Sequence, residues 1–186
     1  MKELDRHLRA HLGCLEGVRT FSGVPEGVEV EFDLLTFEPD EGGFSPVVTR
    51  GLSSHVLAMA TERSTRIELM MLVPAALSEL AESRICDVAL DVVGSHRAPG
   101  RSQVLRRRGR VFPDSDMNAL MSVAPVYQDS DFFILDGPAG RVLFPWLMPI
   151  TQAEADFVLR SGIDAFEAIL EESDLDMRDP YRGSLL

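Results

Sequence analysis

Residues 50–55 read RGLSSH and place two serines and a histidine directly after a strand-like run. A serine becomes a nucleophile when a base lies within hydrogen-bond reach, so Ser53 and Ser54 with His55 are the first residues to weigh. The hydrolase elbow reads Gly-x-Ser-x-Gly, because a second glycine lets the backbone bend beneath the nucleophile. Here Gly51-Leu52-Ser53 is followed by Ser54 and His55, and that glycine is missing. On an extended chain adjacent side chains point to opposite sides, which parts Ser54 from His55 and leaves Ser53 and His55 together. No acid stands out to orient His55. The favoured expectation is a strand exit: Gly51 allows the turn, and Ser53 bonds to local backbone. A Ser53/His55 hydrolase remains as a minor alternative.

His7 and His11, spaced i, i+4 in HLRAH, could share a metal ion. The zinc-protease signature needs Glu directly after the first His, where this chain has Leu8, and no third ligand is evident. DSDMN at 114–118 begins like a calcium loop, but Ala119 and Pro125 stand where the loop needs Gly and Glu. Its aspartates read as turn residues. RRRGR at 106–110 is the one dense basic cluster; it could hold an anion or an acidic partner, but in an acidic chain such a cluster more often pairs with the protein's own carboxylates. Cys14 and Cys86 are too few for a disulfide framework or a zinc cluster and read as reduced packing residues. No phosphate-binding loop or dinucleotide fingerprint occurs. The expectation is no catalytic residues, no cofactor site and no metal site.

The elements around these residues are legible from periodicity. Residues 3–13 read as a short helix, with Leu4, Leu8 and His11 or Leu12 near one face and Gly13 as the stop. VEVEFDLLTFE alternates, with Val28, Val30, Phe32 and Leu34 on one side and Glu29, Glu31 and Asp33 on the other, as a half-buried strand does. PDEGG is turn chemistry, and FSPVVTRG completes a hairpin over 28–51. IELMMLVP, 67–74, fits a central strand buried on both faces. Residues 75–95 are helical, with Ile85, Val88, Ala89, Val92 and Val93 at helical spacing. GSHRAPGRS reads as a loop, MNALMSVAP as an interior strand, and DFFILDGPAGRVLFPWLMPI as a second hairpin turning at DGPAG. Thr151 and Glu154 form a capping box for one last helix, whose buried face runs through Ala155, Leu159, Gly162, Ile163, Phe166 and Leu170. The tail EESDLDMRDPYRGSLL is polar and irregular. These elements predict an α+β fold: a mixed, largely antiparallel β-sheet flanked by helices, with residues 1–186 as a single domain.

Thirty acidic against 18 basic residues leave a formal charge of −12. Such a surface repels phosphate backbones and anionic lipid, which argues against nucleic acid and membrane as partners. A basic protein partner fits such a surface more easily, although the acidity taken alone reads first as a means of solubility. The N-terminus lacks the apolar core of a signal peptide, and no apolar run reaches membrane-spanning length, so a cytoplasmic protein is expected.

The order of these pieces resembles the suppressor-of-fused domain family from about Val28 to Ser184. A strand ending in Phe37-Glu38-Pro39 precedes Thr49-Arg50-Gly51-Leu52-Ser53, similar to the family's Phe-x-Pro and Thr-x-Gly-Met-Ser stretches. RIELMMLVP, with Glu68, Leu69 and Pro74, resembles its Glu-Leu strand. GRVLFPWLMPITQAEADFVLRSGIDAFEAIL matches best, through Pro149-Ile150, Glu154, Phe157 and Gly162. Asp179, Arg182 and Ser184 are similar to its ending. The resemblance implies the fold of the family's N-terminal domain and a non-catalytic, protein-binding role. The animal regulator of the family binds transcription factors in Hedgehog signalling, while bacterial single-domain members are placed among immunity proteins of polymorphic toxin systems. An immunity protein that neutralises a cognate toxin is therefore the leading expectation. A regulatory or scaffold domain that binds a peptide by strand addition is the alternative. Oligomeric state is left open.

Overall fold

Two strand-forming stretches, VEVEFDLLTF and IELMMLVP, lie at the centre of the architecture. The computed structural model of the chain describes residues 2–59, 64–106, 109–138 and 140–186. Helix α1 (Lys2–Leu12) stops at Gly13, whose φ of +84° suits glycine at a helix end. Strands β1 (Leu15–Gly23), β2 (Val30–Phe37) and β3 (Phe44–Arg50) run as an antiparallel meander. Two segments, β4 (Arg66–Ile67) and β5 (Met70–Pro74), lead into α2 (Ser78–Ser95). Next come β6 (Gln103–Arg106), β7 (Met117–Val123), the hairpin of β8 (Ile134–Gly137) and β9 (Gly140–Leu143), and β10 (Trp146–Thr151). Helices α3 (Gln152–Ser161) and α4 (Ile163–Glu171) follow.

Seven strands join in the order β1-β2-β3-β5-β10-β7-β6, and three in the order β4-β9-β8. The large sheet is antiparallel except between β5 and β10. It is therefore the mixed, largely antiparallel sheet expected. The small sheet has the same feature, with β4 parallel to β9. Residues 66–74 and 142–151 thus run side by side, joined through the intervening Glu68 N–H, which donates to the Leu143 carbonyl at 2.9 Å.

Helices cover both faces of the large sheet. One core packs Ile85, Val88, Ala89 and Val93 of α2 against Val30, Phe32, Leu34, Met71 and Val73. The other packs Leu4, Leu8 and Leu12 of α1 and Ala155, Val158 and Phe166 of α3 and α4 against Leu35, Phe37, Met70, Leu72 and Trp146. Adjacent residues of β5 thus enter opposite cores, as an uninterrupted apolar run requires.

Two strands have no counterpart in the sequence reading, and two expectations change. β1 was not legible, because it is an edge strand with Val18 about half exposed and no apolar face to alternate. β6 lies between the GSHRAPGRS loop and the basic cluster, overlapping the cluster only at Arg106, in a stretch assigned to no element, and it is the opposite edge. The second hairpin closes by Leu143, and WLMPI departs to the large sheet as β10; Ala139 of its turn lies outside the described residues. The last helix is two. Gly162 adopts φ +85°, ψ 170°, a conformation essentially reserved to glycine, and it ends α3 and starts α4. Leu159, read as buried, is 60% exposed as a result. A Cβ at Gly162 would touch nothing within 4 Å, so Gly162→Ala isolates the backbone cost. We expect a loss of about 2 kcal/mol in urea unfolding, with the fold retained.

The capping box is present as expected. Thr151 Oγ1 accepts from the Glu154 N–H at 3.2 Å, and Glu154 Oε2 accepts from the Thr151 N–H at 2.8 Å.

Candidate functional site

RGLSSH folds as a turn, but around a different partner from the one its own residues suggest. Gly51 takes φ +111°, and residues 52–54 form one 3-10 turn. Behind the turn lies Glu68, fully buried between β4 and β5. Its Oε1 accepts from the Gly51 N–H (2.9 Å), the Ser53 N–H (3.1 Å) and the Ser53 hydroxyl (2.6 Å). Its Oε2 accepts from the Thr49 hydroxyl at 2.6 Å, and Thr49 Oγ1 in turn accepts from the Leu69 N–H. Burial raises the Glu68 pKa above its ordinary value, against the lowering effect of these hydrogen bonds. Ser53 is thus committed to a carboxyl group rather than to local backbone.

His55 closes the 3-10 turn at the rim of a shallow cavity with Ser22, Gly23 and Glu31. Among the described residues, no hydrogen bond joins its ring to Ser53 or Ser54. Burial, and then the nearby His96, lower its pKa. The Ser53/His55 pair is therefore not assembled. Arg50 reaches the other way, to Asp33 at 2.6 Å and Asp5 at 3.1 Å, and ties α1 to β2 and β3.

A second buried polar cluster gathers the residues near the C-terminus. Arg182 forms a two-pronged pair with Glu154: Nη1 to Oε1 at 2.6 Å and Nη2 to Oε2 at 2.8 Å. It also donates to the carbonyls of Pro149 and Gly183. Glu154 takes a further N–H from Leu185, and Thr151 Oγ1 meets Ser184 Oγ at 3.1 Å. Thr49, Gly51, Ser53 and Glu68, with Pro149, Glu154, Arg182 and Ser184, are residues singled out in sequence. They converge on these two clusters, whose geometry holds segments together.

The other candidates are placed plainly. Arg106 pairs with Asp156 and Arg110 lies 3.9 Å from Asp116, as expected of a self-paired basic cluster; Arg107 and Arg108 lie outside the described residues. Asp114 and Asp116 are exposed turn residues, and Ser115 between them bonds to the Pro180 carbonyl. Cys86 packs on the α2 core, where burial pushes its thiol up to about 11. Cys14 is exposed, which corrects its reading as a packing residue. His7 Nε2–H donates to the Phe132 carbonyl at 2.9 Å and the ring stacks on that of Phe132, so it is not aimed at a site shared with His11.

An open apolar groove of about 520 Å³ lies where β7 and β10 meet α4 and the C-terminal segment. Met121, Trp146 and Met148 line it from the sheet, Ile163 and Leu170 from α4, and Leu175 and Met177 from the far wall. Val126 (75% exposed), Tyr127 and Leu175 leave apolar surface at its mouth. Trp146 is buried, and its indole N–H has no acceptor among the described residues. Arg178 clamps the far wall, lying over the rings of Phe44 and Tyr127 while it pairs with Asp40 and Asp176. Glu167 and Glu171 give the α4 rim negative charge, with Arg101 bonded to Glu167 at 3.4 Å. Sequence reasoning missed this groove, because its lining comes from segments up to 76 positions apart, from Arg101 to Met177.

The suppressor of fused protein family model matches residues 29–183. The fold is similar to a suppressor of fused homologue from Neisseria gonorrhoeae, 16% identical, with a TM-score of 0.73 over 100% of this chain and 93% of that one. A chain of the Sufu–Fu complex is 12% identical, with a TM-score of 0.63 over 99% of this chain and 89% of that one. Drosophila Suppressor of Fused is 11% identical, with a TM-score of 0.63; the match covers 99% of this chain and 50% of the fly chain. No curated protein matches the chain.

Proposed function

The chain belongs to the suppressor of fused protein family, and from that premise we propose that residues 1–186 act as a single, non-catalytic protein-binding domain. The observation that carries the proposal is the apolar groove beside Trp146. It presents the half-exposed Tyr127 ring, held edge to face at 5.6 Å on buried Trp146, with exposed Val126 and Leu175 at its mouth and an acidic rim. Aromatic residues contribute strongly to the energetics of protein interfaces. The occupant that fits is a partner segment with apolar side chains for the groove and Lys or Arg opposite Glu167 and Glu171. The formal charge of −12 steers such a basic partner from a distance and disfavours nucleic acid and anionic membrane. Among the described residues no helix is long and apolar enough to cross a membrane. A relative has been solved as the Sufu–Fu complex, which supports partner binding as the family's mode of action.

In its sharpest form the proposal is an immunity protein that works in the cytoplasm and covers the active site of a cognate toxin. Toxins acting on anionic substrates present basic sites, which an acidic surface complements. Co-expression with a toxin encoded by a neighbouring gene tests it: growth is rescued by the wild type, and the absence of such a gene removes this form of the proposal. Val126→Asp and Leu175→Asp, both at exposed positions, should abolish rescue and weaken binding roughly tenfold or more, with an unchanged unfolding midpoint. Rescue by both variants as good as wild type would remove the groove from the proposal.

One observation favours a second mode. Among the described residues β6 pairs only with β7, and it borders a cleft of about 460 Å³ against α2. That edge suits strand addition by a peptide. Hydrogen exchange with the partner bound separates the two modes: protection falls on 103–106 for strand addition and on 126–127 and 170–177 for the groove.

A further inference from the structure

We propose that His11, Asp129 and Asp131 form a binding site for one zinc ion, which clips α1 to the loop between β7 and β8. The i, i+4 histidines of α1 drew attention in sequence but lacked a third ligand. The fold changes the donor set. It turns His7 away to the Phe132 carbonyl, and it brings two carboxylates 118 and 120 positions downstream against His11. His11 Nδ1 lies 3.8 Å from Asp129 Oδ2 and 4.0 Å from Asp131 Oδ1, and the three donor atoms all lie within 4.8 Å of one another.

Two observations on His11 point to a cation rather than to ordinary surface charge. Its side chain is only 14% exposed, and Nδ1 itself is buried with no hydrogen-bond partner among the described residues. A buried, unpartnered imidazole nitrogen facing two carboxylates is a ligand set in search of its ion, because nitrogen supplies the lone pair and the aspartates the negative charge. The ring is also held in place: it sits 4.7 Å from the His7 ring and 5.7 Å from that of Phe132, centroid to centroid. The loop opposite is held by the Phe132 N–H on the Asp129 carbonyl and by His7 on the Phe132 carbonyl.

The dimensions suit zinc. Bonds of about 2.0–2.2 Å to N and O ligands in a tetrahedral site put donors roughly 3.3–3.5 Å apart. The present spacings need a contraction of about half an ångström toward His11. Asp129 and Asp131 are 85% and 78% exposed and can make that movement. Water completes the fourth position of a one-His, two-carboxylate set. Mixed nitrogen and oxygen donors favour zinc over magnesium, which prefers all-oxygen octahedral sites.

The experiment is calorimetric titration of Zn²⁺ into the metal-stripped full chain, free of any histidine tag, with His11→Ala and the double variant Asp129→Asn/Asp131→Asn in parallel. The expected result is one equivalent bound with micromolar affinity. Each variant weakens binding at least tenfold. Zinc at about one hundred times Kd raises the wild-type unfolding midpoint by roughly 5 °C and leaves the variants unmoved. The double variant alters only exposed side chains and keeps their shape, so its circular dichroism and midpoint without zinc match wild type. Absence of stoichiometric zinc binding overturns the proposal, and so does undiminished binding by both variants. Equal binding of Mg²⁺ also overturns it, since that would report an acidic patch without the histidine.

Discussion

Replacing Arg182 by alanine should cost about 4 kcal/mol in urea unfolding at pH 7, one of the two largest single-residue effects expected in this chain. The Arg182 and Glu154 side chains are 2% and 0% exposed, so the substitution strands a carboxylate where water cannot reach it. Glu154 also caps α3 and accepts the Leu185 N–H, so the stranded charge sits at the junction of β10, α3 and the C-terminal segment. The sign of the pH dependence follows. Burial alone would raise the Glu154 pKa, but the Arg182 guanidinium, by hydrogen bonding and charge, outweighs it and holds the carboxyl below its ordinary 4.5. A depressed carboxyl contributes stability above its unfolded-state pKa and loses it as pH falls through the lowered, folded-state value. The gap between wild type and Arg182→Ala should therefore be widest near neutrality and narrow in acid. A gap that stays constant down to acid unfolding would show that Arg182 acts only by packing.

Glu68→Ala is the second large effect, about 4 kcal/mol. It leaves two backbone N–H groups and two hydroxyls, those of Gly51, Ser53 and Thr49, without their common acceptor. Glu68→Gln should behave quite differently. Its carbonyl can keep the three donors on the Oε1 side, and its amide can donate to Thr49 Oγ1 once that hydroxyl rotates. It thereby imitates protonated Glu68. Because burial raises the Glu68 pKa, folding favours the neutral form relative to the unfolded chain, and wild-type stability falls as pH rises through the folded-state value. Glu68→Gln lacks that titration, so it should gain on wild type from about pH 4.5 upward, as read from paired unfolding curves. Parallel curves across that range would mean that Glu68 remains ionised and satisfied by its donors.

Both predictions concern residues visible in the sequence, yet their roles were not. The strands β2, β3, β5 and β7, the helix α2 and the capping box at Thr151 were legible because each leaves a local signature: period two, a continuous apolar run, helical spacing, or a side chain three positions from its partner. β1 and β6 left none, because edge strands expose both their backbone and their side chains to solvent. The break at Gly162 was hidden for a related reason. Residues Ala155 to Leu170 keep an apolar spacing compatible with one helix, and only packing shows that the stripe turns a corner there.

The family resemblance, too, was carried by the order of short stretches rather than by any one of them. RGLSSH was legible as a turn at a strand end, since Gly51 and the lost second glycine are local facts. That Ser53 serves Glu68 and not His55 depends on β4 and β5 running beneath the turn, 15 residues downstream. Composition and periodicity were enough for the α+β class, the acidic surface and most interior strands, because burial is written residue by residue along each element. The partner of Ser53, the pairing of Glu154 with Arg182, the groove beside Trp146 and the meeting of His11 with Asp129 and Asp131 were decided only by tertiary structure. Each joins segments whose distance along the chain carries no periodic signal, and whose polar atoms meet only because the apolar cores on the two faces of the sheet bring them there.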